Sequence, residues 1–446
     1  MTRDTITAPA TPPGEGGIGV VRVSGPAAET IAAAVAGDLP PPREARFRAF
    51  RDVDGEAVDH GIVLYFPAPH SFTGETVVEL QGHGGPVVVD RVLQCVLARG
   101  ARLAEPGEFS RRAFLNGRMD LTRAEAVADL IGSQSVASAR AAMRSLEGAF
   151  GDTVDTLADE LFQLRIRVEA LLDFPDEEIE AELAASGREL EGIAGRVDEV
   201  RREAGRGRVM AEGLRTVILG APNAGKSSLM NAISRRETAI VTDIPGTTRD
   251  LLRERVVLGG MALELMDTAG IHATDDPVER AGIARAEGAL TDAELVLHVI
   301  DDSEPASTGA VESLYAQHGD SVTTWLTLYN KIDRTGRSPG EIDGDPDTLA
   351  VSADSGAGLE SLAERVGRLG GAGGDGGYTA RRRHVVALDR VAEALDGALA
   401  QWRAGGALDL VAEDLRQAND ALGTITGRVT SEDLLGGIFS SFCIGK

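Results

Sequence analysis

Eight consecutive residues near the middle of the chain have the types and the spacing that bind a nucleoside triphosphate. Gly220-Ala-Pro-Asn-Ala-Gly225-Lys226-Ser227 fits the pattern G-x-x-x-x-G-K-[ST]. Its glycines let backbone N–H groups curl around phosphate oxygens, and the helix that the pattern opens adds positive potential at its N-terminus. We expect Lys226 to reach the β- and γ-phosphates and Ser227 to bind Mg²⁺. The pattern also occurs by chance, so it does not decide the function alone.

Two segments downstream supply the groups that surround the metal ion and the γ-phosphate in GTPases. Thr247-Thr248-Arg-Asp lies at the distance of a first switch region, where the Thr248 hydroxyl gives Mg²⁺ a second protein ligand. Asp267-Thr-Ala-Gly270 follows a predicted strand, which places a carboxylate on the metal side and a glycine at the γ-phosphate.

Two more segments predict the choice of base. The Asp333 carboxylate in Asn330-Lys331-Ile-Asp333 can accept from both N1–H and the 2-amino group of guanine. Adenine lacks both donors in that arrangement, so ATP would leave the carboxylate unpaired. Ser352-Ala353 fits the last loop that contacts the base. Five segments in this order predict a protein that binds GTP rather than ATP.

The position after Gly270, where Ras-like enzymes keep a glutamine that orients the attacking water, is Ile271, which cannot hold a water. Either the protein only binds nucleotide, or its catalyst lies elsewhere. Asn223 offers an amide oxygen that could hold a monovalent cation against the phosphates, in place of an arginine finger worth about 10³–10⁵ in rate; its alternative role is to stabilise the turn. Glu279, on a helix predicted to begin near Pro277, could orient the water, although an exposed helix glutamate is more often simply solvated.

Residues 214–369 contain the elements that must position these segments. Short apolar runs alternate there with helical stretches, which indicates a parallel sheet flanked by helices. The predicted strands are Thr216–Leu219, Leu263–Met266, Leu295–Ile300, Thr323–Tyr329 and Thr348–Val351, with a helix over Lys226–Ala232.

Helical periodicity flanks this α/β region on both sides. Val154, Leu157, Leu161, Leu164, Val168 and Leu171 recur every three or four residues and form one apolar stripe. A similar pattern resumes at Leu388, after the glycine-rich linker 370–377. We interpret this as one helical domain, its two halves packed together and interrupted by the α/β domain; two separate bundles would give the same pattern. Thr122-Arg-Ala-Glu125 predicts a capping box where the helical region starts.

Residues 1–118 mix short strands with turns. Ile18–Val23, Gly61–Phe66 and Thr76–Leu80 are predicted strands, and a helix is predicted from Pro86 to about residue 99. Cys95 falls on the apolar side of that helix, which predicts a core residue rather than a ligand.

Composition bounds the remaining possibilities. The 446 residues carry 43% hydrophobic side chains, enough for several domains. A net charge of −25 argues against a large nucleic-acid surface, so any RNA contact must be local or assisted by a basic partner. With 2 cysteines and no apolar run long enough for a signal peptide or a membrane helix, we expect a cytoplasmic protein with no membrane association.

These segments, with their neighbours, resemble the MnmE (TrmE) family of tRNA-modification GTPases over essentially the whole chain. The resembling stretches outside the G-domain motifs are Ala10-Thr-Pro-Pro-Gly, Phe72-Thr-Gly-Glu, Leu80-Gln-Gly-His-Gly-Gly-Pro86, Pro106-Gly-Glu-Phe-Ser110, Asp173-Phe-Pro-Asp-Glu-Glu178, Val241-Thr-Asp-Ile-Pro-Gly-Thr-Thr-Arg-Asp250 and Phe439-Ser-Ser-Phe-Cys-Ile-Gly-Lys446. The last stretch is far more specific than any P-loop.

The resemblance implies a K⁺-stimulated GTPase, a hydrolase acting on acid anhydrides, whose G domains dimerise during turnover. Asn223 matches the side-chain K⁺ ligand, and Thr242, Ile244 and Thr247 match the backbone ligands. Glu279 matches the water-orienting glutamate, so Ile271 is tolerated. His272 departs from the arginine often found there. The predicted GTP-binding set is then Asn223, Ala224, Gly225, Lys226, Ser227, Ser228, Thr242, Asp243, Ile244, Pro245, Gly246, Thr247, Thr248, Asp267, Thr268, Ala269, Gly270, Asn330, Lys331, Asp333, Ser352 and Ala353.

The resemblance also implies an N-terminal domain that binds 5,10-methylene- or 5-formyl-tetrahydrofolate and forms a homodimer. Arg22 and Glu79 match its folate contacts; without the resemblance they are ordinary polar strand positions. Arg118 stands where a lysine is expected, which keeps the charge but not the shape. Cys443 and Lys446 close the folate-proximal end of the helical domain.

In the family, the protein works with the FAD-containing partner MnmG (GidA) in a heterotetramer or larger complex. Together they add an aminomethyl or carboxymethylaminomethyl group to C5 of the wobble uridine, position 34, of certain tRNAs. The net negative charge of this chain is compatible with such an activity if the partner supplies most of the tRNA contact.

The predicted fold is multidomain, α/β and all-α. It comprises an N-terminal α+β folate-binding and dimerisation domain (1–118), a discontinuous helical domain (119–211 and 373–446) and an inserted Ras-like P-loop G domain (212–372). A ribosome-assembly or other regulatory GTPase of the Era or Der type is the alternative, but it leaves residues 1–118 and the C-terminal stretch unexplained. A nucleotide-gated scaffold without hydrolysis is the third possibility.

Overall fold

The chain divides into two units in the computed structural model, which describes residues 4–173, 179–236, 253–267, 290, 293–304, 315, 324–369, 377–405 and 407–445. The N-terminal unit comprises Met1–Ala128 and Leu422–Lys446, and the central unit comprises Asp129–Ala421. The boundaries drawn from the sequence for the three domains, one of them discontinuous, stay a prediction.

The described residues form thirteen helices. They are α1 (Ala28–Ala36), α2 (Pro86–Leu97), α3 (Glu108–Leu115), α4 (Leu121–Gly132), α5 (Val136–Glu147), α6 (Ala149–Asp173), α7 (Ile179–Glu212), α8 (Lys226–Arg236), α9 (Ile332–Thr335), α10 (Leu359–Leu369), α11 (Arg382–Arg403), α12 (Leu408–Thr426) and α13 (Glu432–Ser440). Among the helices of these described ranges, none combines the length and the apolarity needed to cross a membrane.

The N-terminal unit is built on a six-stranded sheet. Its strands are β1 (Ile6–Pro9), β2 (Gly19–Ser24), β3 (Arg46–Arg51), β4 (Ala57–Phe66), β5 (Val77–Gly82) and β6 (Arg102–Leu103), in the order β3-β4-β5-β2-β1-β6. The β1–β6 pair is parallel and the other pairs are antiparallel. Strand alternation buries Val21 and Leu80 in the core and places Arg22 directly opposite Glu79.

Helices α1 and α2 supply the helical side of this core. Pro86 occupies the first turn of α2, where its missing N–H leaves no helical hydrogen bond unmade. Cys95 is 5% exposed and belongs to the core, as predicted. Burial raises the pKa of its thiol. The predicted strands and helix of this region are confirmed, with ends displaced by at most four residues.

The predicted capping box at the start of the helical region is wrong. Helix α4 begins at Leu121, and the carboxylate before it, Asp120, accepts from the backbone N–H of Arg123 at 2.8 Å and from the Thr122 hydroxyl at 2.6 Å. An aspartate is at least as good an N-cap as threonine, and its charge also interacts favourably with the helix dipole. Thr122 therefore lies inside the first turn.

The central unit contains a seven-stranded sheet. Its strands are β7 (Leu214–Leu219), β8 (Arg253–Leu258), β9 (Met261–Asp267), β10 (Leu295–Asp301), β11 (Thr324–Asn330), β12 (Gly340–Ile342) and β13 (Asp345–Ala350), in the order β12-β13-β11-β10-β7-β9-β8. The five inner strands are parallel, and β8 and β12 are antiparallel edges. The predicted parallel sheet flanked by helices is confirmed.

The helical segments before and after this sheet pack on each other. In α7, Gly187 lies under the Trp402 ring of α11: a β-carbon there would be 2.5 Å from Nε1. The Ser145 hydroxyl of α5 accepts from the Thr379 backbone N–H at 2.8 Å and donates to the Thr379 carbonyl oxygen at 3.1 Å. The expectation of one helical domain interrupted by an α/β domain is therefore confirmed. Of the predicted glycine-rich linker 370–377, residues 370–376 lie outside the described residues.

A partly buried charge network ties β1, β6 and α3 together in the N-terminal unit. Arg112 donates to Glu108 at 2.9 Å and to Asp4 at 2.8 Å, and Arg102 donates to the same two carboxylates. Burial raises the pKa of Asp4 and Glu108, but hydrogen bonds from the two arginines outweigh it, so both pKa values lie below their usual range. The network stabilises the folded unit only while these groups are ionised.

Acid should lower the stability of the N-terminal unit first around this charge network, next to β1, β6 and α3. A carboxylate with a lowered pKa stabilises the fold above its unfolded pKa of about 4, and the contribution disappears as pH falls through the lowered folded value. We expect protection of β1 and α3 amides from hydrogen exchange to fall over that window. A Glu108→Gln variant should be less protected at neutral pH and less sensitive to acid.

The control is Glu432→Gln, since Glu432 is 80% exposed and forms a surface ion pair with Arg111. It should match the parent protein. An unchanged acid dependence in Glu108→Gln would show that the network does not couple protonation to stability.

Candidate functional site

The loop between β7 and α8 adopts a conformation that its glycines make possible. A β-carbon at Gly220 would lie 2.2 Å from the Val299 carbonyl oxygen, and one at Gly225 would lie 2.2 Å from Asn330 Nδ2. Both glycines also have positive φ, 153° and 97°. The loop thus curls tightly over the carboxyl end of the sheet, which is where open α/β sheets bind ligands.

The ammonium group of Lys226 lies over this loop. Its Nζ donates to the carbonyl oxygens of Gly220 and Ala221, both at 2.8 Å. Ser227 and Ser228 are exposed in the first turn of α8, and Asn223 is exposed on the loop with a left-handed φ of 61°. A cation, two hydroxyls and an amide therefore surround the N-terminal end of α8.

Asn330 joins the loop to two other segments. Its Nδ2 donates to the Ala224 carbonyl oxygen at 2.9 Å, and its Oδ1 accepts from the Ala353 backbone N–H at 3.0 Å. The residue is 1% exposed. One buried amide therefore holds the phosphate-binding pattern and the Ser352-Ala353 loop in fixed positions relative to each other.

Asp333 lies beside this bridge with one carboxylate oxygen positioned by a neighbour. The buried Ser352 hydroxyl donates to Asp333 Oδ1 at 2.5 Å, and Ser352 Oγ accepts from the Ser355 N–H at 3.2 Å. Within the described part of the chain, Oδ2 of Asp333 makes no hydrogen bond. An oriented, exposed carboxylate is what recognition of a guanine edge requires.

Lys331 is anchored by a residue that the motifs did not identify. Its Nζ donates to Asp301 Oδ2 at 2.5 Å. Burial raises the pKa of the Asp301 carboxyl group, but hydrogen bonds from Lys331 and Ser303 lower it by more. The pKa therefore lies below its usual value, and the carboxylate stays ionised. Lys331 also has a positive φ of 67° and lies near Gly225. Its stem therefore forms one wall between the loop and Asp333.

The remaining predicted GTP residues lie mostly outside the described residues. They are Thr242, Asp243, Ile244, Pro245, Gly246, Thr247, Thr248, Thr268, Ala269, Gly270 and Glu279. Of Asp267 only the backbone is described: it ends β9 and is the register partner of Ile218, next to the start of the glycine-rich loop.

A second cluster of predicted residues lies in the N-terminal unit. Arg22 Nε donates to Glu79 Oε1 at 3.1 Å, and its Nη1 donates to the Gly445 carbonyl oxygen at 3.3 Å. The guanidinium lies 5.6 Å from the Phe72 ring centroid and 5.7 Å from that of Phe109. Two rings and two acceptors therefore fix this arginine in one orientation.

The C-terminal segment reaches this cluster through its backbone. A β-carbon at Gly445 would lie 2.1 Å from the Pro9 carbonyl oxygen, so only glycine fits there. The Cys443 carbonyl accepts from Gly107 N–H at 3.3 Å, while Cys443 itself is exposed with a free thiol. Arg118 is exposed with its stem against Gly74, and it makes no hydrogen bond with Arg22 or Glu79 among the described residues. Lys446 falls outside them.

Comparison with known proteins covers the whole chain. A family model described as "GTP-binding protein TrmE N-terminus" matches residues 5–118, and one described as "MnmE helical domain" matches residues 121–443. The tRNA modification GTPase MnmE of Alkalilimnicola ehrlichii is 51% identical, covering 100% of this chain and 100% of that protein. The protein of the same name from Chromohalobacter salexigens is 48% identical, covering 100% of this chain and 98% of that protein.

The chain belongs to the MnmE (TrmE) family. The match to MnmE proteins includes both the first 118 residues and the C-terminal stretch, so the family decides against an Era- or Der-type GTPase. It also agrees with the fold: the match to the helical-domain model runs across the G domain that interrupts the helices.

The roles of four residues in these two clusters were missed from the sequence. Gln81 Nε2 donates to Glu79 Oε2 at 3.1 Å. Strand alternation could have predicted this contact, since Gln81 follows Glu79 by two residues and lies on the same face of the strand. Asp301 ends β10, and its position after a predicted strand is a weaker signal. No local sequence pattern predicts the contacts of Phe72 and Phe109 with Arg22, because these residues lie in distant parts of the chain.

Replacing Asn330 should loosen the cluster around Lys226, Asn330 and Asp333, called the nucleotide cluster below. In Asn330→Ala the buried Ala224 carbonyl and the Ala353 N–H both lose a partner, at about 1–3 kcal/mol for each group left unpaired. We expect faster hydrogen exchange in residues 220–228 and 351–356 and a lower melting temperature. Thr156→Ala, which removes an exposed hydroxyl on α6, is the control. Equal exchange in Asn330→Ala and the parent protein would contradict the bridging role.

Proposed function

We propose that the protein binds and hydrolyses GTP at the cluster around Lys226, Asn330 and Asp333, and that hydrolysis serves tRNA modification. The bridge made by Asn330 is the observation that carries the proposal. It ties the glycine-rich loop to the Ser352-Ala353 loop, whose serine orients the Asp333 carboxylate, at one edge of one sheet. A lone glycine-rich turn would need no such partner.

The described residues fit the parts of a magnesium–GTP complex. The Lys226 ammonium can exchange two loop carbonyls for β- and γ-phosphate oxygens, which are stronger acceptors because they are charged. Ser227 presents an exposed hydroxyl where Mg²⁺ is bound in P-loop proteins. Asp333, oriented by Ser352, accepts from the two donors of guanine, and a buried nucleobase without them would leave that charge unpaired.

Hydrolysis then needs a substitute for the glutamine that Ile271 replaces. We assign the water-orienting role to Glu279 and the K⁺ site to Asn223 with the backbone of Thr242, Ile244 and Thr247. The exposure of Asn223 on the loop supports the second assignment. A potassium ion there would neutralise charge that develops between the β- and γ-phosphates.

We propose a tetrahydrofolate site at Arg22 and Glu79, with Arg118 and Lys446 contributing. The support is the arrangement around Glu79: Oε1 accepts from Arg22 and Oε2 accepts from Gln81. A carboxylate has about four acceptor positions, so about two remain for donors on a ligand. A pterin carries an amino group beside a ring N–H, which is the donor pattern that a carboxylate binds best.

The partner and product assignments follow the family. The relatives are named tRNA modification GTPases. We propose that this chain acts in the cytoplasm as a homodimer with an FAD-containing MnmG partner, and that the complex adds an aminomethyl or carboxymethylaminomethyl group to C5 of the wobble uridine. Analysis of that uridine in tRNA from a deletion strain tests the assignment: an unchanged modification would remove it.

GTP turnover should depend on the monovalent cation and on one acid. We expect hydrolysis in KCl to exceed that in NaCl by at least about tenfold, because the smaller ion fills the same cage poorly. Glu279→Ala should lower turnover at least about 100-fold while GTP still binds. Glu304→Ala, an exposed acid outside the cluster, is the matched control. Turnover that persists in Glu279→Ala, or that is absent in every salt, would refute this catalytic assignment.

Folate binding should fail when the Glu79 cluster is altered. Glu79→Gln keeps the shape but removes the charge that faces Arg22, and we expect the dissociation constant for 5-formyl-tetrahydrofolate to rise at least about tenfold. Arg46→Ala removes an exposed arginine from the same sheet and should bind normally. Titration calorimetry measures both variants; unchanged affinity in Glu79→Gln would place the ligand elsewhere.

A further inference from the structure

Gln81 occupies the strand position beside the carboxylate proposed to bind folate. Glu79 and Gln81 are separated by one residue on β5, so strand alternation places both side chains on the same face of the sheet. Leu80, between them, points the other way and is buried in the core of the N-terminal unit. Glu79 and Gln81 are both half-buried, so a ligand on their face of the sheet can reach each of them.

The charge of Glu79 fixes the orientation of the Gln81 amide. Gln81 Nε2 donates to Glu79 Oε2 at 3.1 Å. A carboxylate only accepts hydrogen bonds, so the reverse orientation would set the Gln81 carbonyl oxygen against a negatively charged oxygen. Arg22 holds the other side of the same carboxylate, with Nε at 3.1 Å and Nη2 at 3.0 Å from Oε1. The carboxylate and the amide therefore have one mutual arrangement.

The Gln81 amide keeps unused hydrogen-bonding groups for a ligand. In the part of the chain that the structure describes, the contact with Glu79 is the one hydrogen bond that this amide makes. A second N–H on Nε2 and the carbonyl oxygen Oε1 remain available. An amide binds a heterocycle through such an N–H and C=O pair when the ring has an acceptor next to an N–H, as when glutamine binds adenine.

Apolar side chains flank Gln81 on the same face of the sheet. Val20 of β2 and Ile62 of β4 are its register partners on the two sides. Directly paired residues of antiparallel strands have their side chains on one face. Val20 is half-buried and Ile62 is 40% exposed. A flat heterocycle whose polar edge meets Glu79 and Gln81 therefore finds apolar surface beside its rings.

The polar edge of a reduced pterin complements Glu79 and Gln81 in order. Its ring N–H and its amino group suit the Glu79 carboxylate, and the next two atoms along the edge are N1 and N8. N1 is an acceptor, and N8 carries a hydrogen in both tetrahydrofolate and 7,8-dihydrofolate. The N–H and the carbonyl oxygen of Gln81 complement this acceptor and donor. In folic acid N8 has no hydrogen, so two acceptors would face each other.

We propose that Gln81 determines the specificity of the folate site, because its amide binds N1 and N8–H of the pterin and rejects the fully oxidised ring. This rests on the tetrahydrofolate site proposed above. Rejection is strong because a polar group that faces the wrong partner loses its hydrogen bond to water and gains none in return. The discrimination depends on N8 alone, so 7,8-dihydrofolate is accepted.

Titration calorimetry of the full-length protein with three ligands tests this role. 5-Formyl-tetrahydrofolate and 7,8-dihydrofolate carry a hydrogen on N8, and folic acid does not. We expect the parent protein to bind folic acid at least about tenfold more weakly than dihydrofolate. In Gln81→Leu the two dissociation constants should become about equal, since no amide faces N8. A displaced Glu79 or a less stable fold would weaken all three ligands alike and leave the ratio unchanged.

The matched control is Gln94→Leu. Gln94 is exposed on α2, and its amide also donates to a carboxylate, that of Asp90, at 3.4 Å. This variant should keep the ratio of the parent protein.

The outcomes separate the role of Gln81 from the folate site itself. Dihydrofolate that binds the parent protein no better than folic acid, or a ratio that survives in Gln81→Leu, refutes the role of Gln81. The folate site still stands in that case if 5-formyl-tetrahydrofolate binds and its affinity depends on Glu79. If 5-formyl-tetrahydrofolate does not bind, or binds Glu79→Gln equally well, the folate site falls, and the role of Gln81 with it.

Discussion

The two hydrogen bonds of Asn330 are the interaction on which the nucleotide cluster depends. The proposed phosphate-binding loop and the proposed base-binding carboxylate can act together only at a fixed separation. A single buried amide sets that separation by holding Ala224 on one side and Ala353 on the other. Because both bonded groups are backbone atoms, the constraint does not depend on which side chains occupy those positions. Two further contacts orient the side chains beside Asn330: Asp301 holds the Lys331 ammonium group, and Ser352 holds the Asp333 carboxylate.

The sequence predicted this part of the molecule well, for a physical reason. Each nucleotide-binding segment is short, contiguous and placed directly after a strand, so local spacing carries nearly all the information, and the described segments converge at the carboxyl edge as expected. Local patterns failed where distant parts of the chain meet. The cluster around Arg22 is an example: Arg22, the Phe72 ring, the Phe109 ring and the Gly445 carbonyl come from four separate segments. The capping error arose because Asp120 and Thr122, two residues apart, are both good N-cap residues.

Two parts of the structure use glycine for the same purpose, the approach of one backbone to another. Gly445 lets the C-terminal segment lie against Pro9, where it reaches Arg22. Gly213, Gly259 and Gly367 let the β8–β9 hairpin contact α7 and α10 without side chains between them. Contacts of this kind are stiff, since backbone atoms cannot change rotamer.

Nucleotide selectivity is the most direct measure of the central claim, that Asn330 and its neighbours assemble a guanine-nucleotide site. Titration of the full-length protein with Mg²⁺-GTP and Mg²⁺-ATP gives both dissociation constants under one set of conditions. Loss of a charged hydrogen-bonding pair is worth about 1.5–3 kcal/mol for each contact, so the account predicts GTP binding at least about 100-fold tighter than ATP. Equal affinities, or no binding of either nucleotide, would contradict it.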